Sequence, residues 1–157
     1  MNPTSLRRRI ATGAATLLLT ASFIALTAPD ASAGDVTYTR CGGTGTTQAV
    51  RIDGVSGSDP TLNPGKPYPV EVDLIPSSAA PALHLNVTAD YLGFPVEIIN
   101  TNLADSSVQA GVQYTVRFTV TPNDILVGNR VPLRITVSHE NTGLVEICDS
   151  VPVRIER

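Results

Sequence analysis

The sequence predicts an all-β sandwich of about seven strands, and three observations predict it. Apolar and polar residues alternate with period two in four long segments. Clusters rich in Gly, Pro, Asn and Asp separate those segments. No segment after residue 33 carries a helical repeat of apolar positions. Period-two alternation turns one side of a strand to a core and the other to water, as in half-buried antiparallel strands.

Residues 35–40 and 47–53 read as two short strands on either side of the turn "CGGTG". In "YPVEVDLI" (68–75), Val70, Val72 and Leu74 share one face and Glu71 and Asp73 the other. "LHLNVT" (83–88) sets Leu83, Leu85 and Val87 against His84, Asn86 and Thr88. "VQYTVRFTV" (112–120) sets Val112, Tyr114, Val116, Phe118 and Val120 against Gln113, Thr115, Arg117 and Thr119. "VPLRITV" (131–137) continues the pattern with Val131, Leu133, Ile135 and Val137. In the last segment, "VEICDSVPVRI" (145–155), the phase of Val145, Ile147, Val151 and Val153 also turns Asp149 inward, which predicts a bulge or bend near Cys148.

The first residues predict export. Arg7, Arg8 and Arg9 form a basic region, residues 10–28 an Ala/Thr/Leu run, and "ASA" (31–33) a small-residue cleavage pattern, so residues 1–33 read as a signal peptide cut after Ala33. "SLRRRI" loosely resembles a twin-arginine signal, but a general secretory signal is preferred. Of 157 residues, removal of 33 leaves 124 (34–157), one domain with enough chain to bury about two thirds of its unfolded surface. The cut takes three arginines and Asp30 from a balance of 11 basic and 14 acidic groups, leaving eight against thirteen. A net charge of −5 argues against nucleic acid or an anionic membrane as partner.

Cys41 and Cys148 are the only cysteines. In an oxidising compartment two such residues pair, closing a loop of about 100 residues; a metal pair or a reactive thiol are the other readings, with no nearby histidine to support them. Catalytic patterns are nearly absent, and no enzyme, metal or cofactor is expected. His84 and His139 fall on polar phases and read as solvated, as do the paired acids Glu71 and Asp73. "CGGTGT" lacks the lysine and helix of a phosphate loop, and "NVT" at Asn86 is a glycosylation sequon only in a eukaryotic secretory route.

The order of motifs resembles the ML (MD-2-related lipid-recognition) family, especially its secreted Niemann-Pick type C sterol-transfer branch, from about Thr37 to Ile155. The motifs are "CGG" at Cys41, the strand in "AVRIDGV", "GKPYPVEVDLI", "YLGFPVEI" (91–98), "NDILVGNRVPLRITV" (123–137) and "CDSVPVRI". The resemblance implies an immunoglobulin-like sandwich of two antiparallel sheets splayed around a lipid cavity, with a disulfide between Cys41 and Cys148. It carries the apolar cavity mouth onto Ile98, Val127 and Val131. The wall falls to Val70, Val72, Leu74, Leu83, Leu85, Val87, Phe94, Val96, Val116, Phe118, Val120, Leu133 and Ile135. The branch's mouth aromatics and its two further disulfides have no counterpart here, and Arg130 and Lys66 are the only charged candidates near the mouth.

The implied function is a secreted, monomeric carrier of a lipid (sterol, fatty acid or phospholipid) that meets a membrane or receptor during transfer. The alternative is a structural or adhesive sandwich with a filled core. An apolar cavity of several hundred Å³, on the order of ordinary ligand pockets, separates the two.

Overall fold

The computed structural model describes residues 33–157; the predicted signal peptide lies, but for Ala33, outside them. The described residues form ten strands: β1 (Ala33–Asp35), β2 (Thr39–Gly42), β3 (Thr46–Asp53), β4 (Thr61–Leu62), β5 (Tyr68–Ile75), β6 (Leu83–Tyr91), β7 (Phe94–Asn102), β8 (Tyr114–Val120), β9 (Arg130–His139) and β10 (Val145–Ile155). One 3₁₀ turn, Asp124–Leu126, interrupts the loop before β9. One sheet has the order β1-β3-β5-β8. The other runs β2-β10-β9-β6-β7, with β4 beside the far end of β10. All pairings are antiparallel except the two-residue β4–β10 contact. This is the immunoglobulin-like sandwich of two sheets.

Seven of the ten strands are long, and the short ones lie on sheet edges. The segment 35–40 is not one strand. It bends after Asp35, so that β1 joins the first sheet and β2 the second. β7 carries no alternating pattern because it is an exposed edge strand, bonded to β6 on one side only. With neither face deeply buried, nothing in β7 selects apolar residues at every second position.

The predicted irregularity near Cys148 is present: the β10–β2 register shifts between Cys148 and Asp149. The disulfide joins Cys41 of β2 to Cys148 of β10 across 107 residues, a loop worth roughly 4–5 kcal/mol in the chain-entropy account. The turn "CGGTG" lies against β10 so closely that a Cβ on Gly43 would meet the Glu146 carbonyl. Arg40 holds the turn from outside, its Nη2 donating to the carbonyls of Gly42 at 2.9 Å and Gly45 at 3.1 Å.

Two solvated readings are corrected. Glu71 and Asp73 belong to an ion ladder on the outer face of the first sheet. Arg51 bridges Asp73 at 2.7 Å and Glu71 at 3.2 Å, Arg117 meets Glu71 at 2.8 Å, and Thr115 donates to Asp73 at 2.6 Å. His139 is buried beneath the turn between β9 and β10, 2.7 Å from Glu146. Burial alone would raise the Glu146 carboxyl; hydrogen bonds from Ser77, His139 and Ser78 outweigh it and hold the group below its usual range.

Candidate functional site

The inner faces of both sheets supply the apolar residues on which a ligand site could be built. From β5, β6, β8 and β9, the residues Val70, Val72, Leu74, Leu83, Leu85, Val87, Val116, Val120, Val131, Leu133 and Ile135 are all buried in one continuous core. Phe118, Ile98 and Val127 are half-buried against it. Phe94 and Val96 are not in the core: on the overhanging edge strand β7 they are 73% and 44% exposed.

The space between the sheets does not match the cavity that the resemblance implies. At the end of the sandwich where β8 leaves its sheet, a notch of about 10 Å³ remains, bounded by Leu62, Ile98, Val120, Thr121, Pro122, Leu126, Val131, Leu133, Val153 and Ile155. That is room for about one water molecule. The expected lipid cavity is therefore closed here. Medium-sized aliphatic side chains from the two sheets meet in the middle and exclude open space.

Outside the notch the apolar lining continues. A groove of about 220 Å³ runs over Ala89, Val96, Ile98, Pro122, Ile125 and Leu126, and it shares Ile98, Thr121, Pro122 and Leu126 with the notch. Ile125 is 66% exposed, and Leu92 and Phe94, at the turn between β6 and β7, are 76% and 73% exposed. Ile125 and Val96 thus stand largely in water on the groove that leads to the notch. Isolated exposed hydrophobics are ordinary, but a cluster at a pocket mouth marks a binding surface.

Of the three mouth positions implied by resemblance, Ile98 and Val131 line the notch. Val127 does not; the preceding Leu126 does, and Ile125 forms the outer rim. The 3₁₀ turn sets this offset, capped by Asn123, whose side chain accepts from the Ile125 N–H at 3.1 Å. Sequence reasoning missed Leu62, Pro122, Ile125 and Leu126 as site residues. The one usable signal was an adjacent apolar pair, Ile125 and Leu126, inside an otherwise polar turn.

The two cations near the mouth are both engaged, and one carboxylate residue, Glu97, lines the outer groove, its side chain accepting from Asn100 Nδ2 at 2.9 Å. Arg130 is taken by Asp59 at 2.8 Å, and hydrogen bonds from Arg130 and Arg154 hold the Asp59 carboxyl below its ordinary range. Lys66 lies over the Tyr68 ring, 5.0 Å from its centre. Among the described residues no group of three metal-ligating side chains comes together.

No protein-family model and no curated protein sequence matches the chain. Solved structures do. A Niemann-Pick type C2 protein from the Japanese carpenter ant superposes with a TM-score of 0.61 at 13% identity, over 76% of this chain and 99% of that one. The chain is similar to it in fold. The C-terminal domain of Wzt follows with a TM-score of 0.55 at 13% identity, over 77% of this chain and 78% of that one. Chicken MD-1 complexed with lipid IVa gives 0.47 at 10% identity, over 73% and 85%, a likeness too loose to build on. At these identities what is shared is the two-sheet sandwich, and it can serve unrelated functions.

Proposed function

We propose that this chain is an exported lipid-binding protein that admits an apolar chain at the open end of its sandwich. The observation that carries the reading is the apolar path from Val96 and Ile125 in the outer groove through Ile98 and Leu126 to the notch between the sheets. The Niemann-Pick type C2 likeness and the disulfide, a bond of oxidising compartments, support it.

The closed notch sets the kind of ligand. Across the core the sheets are held mainly by side-chain packing, and β7 and β8 are free edges of different sheets, so parting them there breaks no strand pairing. A flexible acyl chain can enter stepwise between β-branched walls, whereas a rigid ring system needs the whole gap at once. We assign a single acyl chain as the ligand rather than a sterol. No residue needs to react, and binding rather than catalysis is the proposed role.

The closed core favours a second reading, a filled sandwich that binds through its outside. Native mass spectrometry of the exported protein, incubated with a fatty acid series, a sterol and a phospholipid, separates the two. The carrier reading expects a one-to-one fatty acid adduct whose affinity rises about fourfold per added methylene, from about 0.8 kcal/mol for each buried group. Ile98→Asp abolishes the adduct with little loss of stability. A protein that stays free of lipid in every incubation is the filled-core module.

A further inference from the structure

We propose that the outer face of the six-stranded sheet carries a binding groove for a neutral glycan. The groove holds about 460 Å³ and is lined by Asn86, Thr88 and Asp90 of β6, Gly93 and Pro95 beyond the turn, and Arg134 of β9. Strand register brings these groups together: Thr88 pairs with Arg134 and Asp90 with Pro95. It lies on the opposite side of the β6–β7 hairpin from the apolar path and does not depend on the lipid reading.

The chemistry of the lining selects the ligand. Arg134 Nη2 donates to Asp90 Oδ2 at 3.0 Å, so the one charged pair in the groove is neutral as a unit. One Asp90 oxygen and the remaining Arg134 donors stay available, since both side chains are partly exposed. Within the hydrogen-bond network of the described residues on this face, neither the Asn86 amide nor the Thr88 hydroxyl takes part. An amide, a hydroxyl, a carboxylate oxygen and guanidinium N–H groups on one patch offer donors and acceptors side by side. Adjacent sugar hydroxyls, each of which both donates and accepts, meet that arrangement. An anionic ligand would have to pull Arg134 away from Asp90.

The two outer faces of the molecule differ in this respect. On the four-stranded sheet the charged groups saturate one another in the Arg51–Glu71–Arg117 ladder. On the six-stranded sheet Asn86 lies between Thr136 and Asn100 in a strip of amides and hydroxyls, with Glu97, the register partner of Thr88, accepting from Asn100 Nδ2 at 2.9 Å at its margin. From His84 to Asp90 the strip runs about 20 Å at the usual strand rise, enough for an oligosaccharide rather than one sugar.

The test is titration of the isotope-labelled protein with neutral gluco-, manno-, galacto- and xylo-configured oligosaccharides at millimolar concentration, followed by backbone amide shifts. The expected result is shifts around residues 86–95 and 134 with at least one sugar. Asn86→Ala and Asp90→Ala weaken that binding about tenfold or more, and Thr119→Ala, on the opposite outer face, leaves it unchanged. Asp90→Asn, which keeps the shape, is used if Asp90→Ala misfolds. Binding to the free oligosaccharide alone, or also to the insoluble polymer of the same configuration in co-sedimentation, supports the proposal and tells a soluble sugar from a surface polymer. Absence of shifts with every sugar, or shifts that survive both groove substitutions, overturns it.

Discussion

Asp149 shows what one residue can cost a sandwich. Its side chain is fully buried between the sheets, where Oδ2 accepts from Thr47 Oγ1 of β3 at 2.5 Å. Oδ1 has no hydrogen-bond partner among the described residues, and Arg40 Nε stands 3.9 Å away. Burial pushes the carboxyl above its ordinary value, and the Thr47 hydrogen bond and the Arg40 charge offset only part of that. With the folded value above the unfolded one, the native state holds the proton more tightly. Stability is then highest below about pH 4 as far as this group is concerned, and it falls as pH rises through the folded value. Asp149→Asn, which does not titrate, removes that loss. It raises stability at pH 7 by about 1 kcal/mol, a Tm gain of about 4 °C in a domain of this size, and the gain shrinks toward pH 4. Thermal melts of both proteins between pH 4 and 8 check the slope. The inward turn of Asp149 was legible in the phase of its neighbours. Its partner was not, because Thr47 lies 102 residues away on the other sheet.

Among the elements, the β6–β7 hairpin departs furthest from what local sequence favours. Leu92 and Gly93 at its tip have φ of 51° and 84°, the left-handed pair that a tight two-residue turn requires. Asn-Gly is the usual solution; leucine in this region costs about 1–2 kcal/mol. Leu92→Asn is therefore expected to stabilise the protein by about 1 kcal/mol in urea unfolding, since it removes strain and exposes no new apolar surface. If Leu92 serves the apolar path, the same substitution weakens fatty acid binding while stability rises. A gain in both would separate the leucine from the site. The strands β5, β6, β8 and β9 were readable because their apolar residues alternate with polar ones, and β10 only in part, because Glu146, Ile147, Cys148 and Asp149 are all buried. β7 left no periodic trace for the opposite reason, and only the resemblance pointed to its mouth residue Ile98. The 3₁₀ turn was likewise hidden: it positions Leu126 through an Asn123 cap, and a one-residue offset in a loop leaves no periodic trace.

At the scale of the whole molecule, the staple and the mouth lie apart. The disulfide ties β2 to β10 beside the "CGGTG" turn, within one sheet. The notch opens at the other end of β10, where Val153 and Ile155 meet Ile98 of β7, Val120 at the end of β8 and Leu126 of the 3₁₀ turn. A cross-link within one sheet does not lock the two sheets together, so the mouth is free to part while the disulfide limits what the unfolded chain can explore. The double variant Cys41→Ser/Cys148→Ser tests that separation. Losing a 107-residue loop closure lowers unfolding free energy by roughly 4–5 kcal/mol. Where the variant remains folded at low temperature, its fatty acid affinity stays within a factor of about two of the parent, since no mouth residue moves. Denaturant titration gives the first quantity and native mass spectrometry the second. A folded variant with greatly weakened binding would place the disulfide in control of the mouth, making sheet separation a motion of the whole sandwich rather than of its free edges.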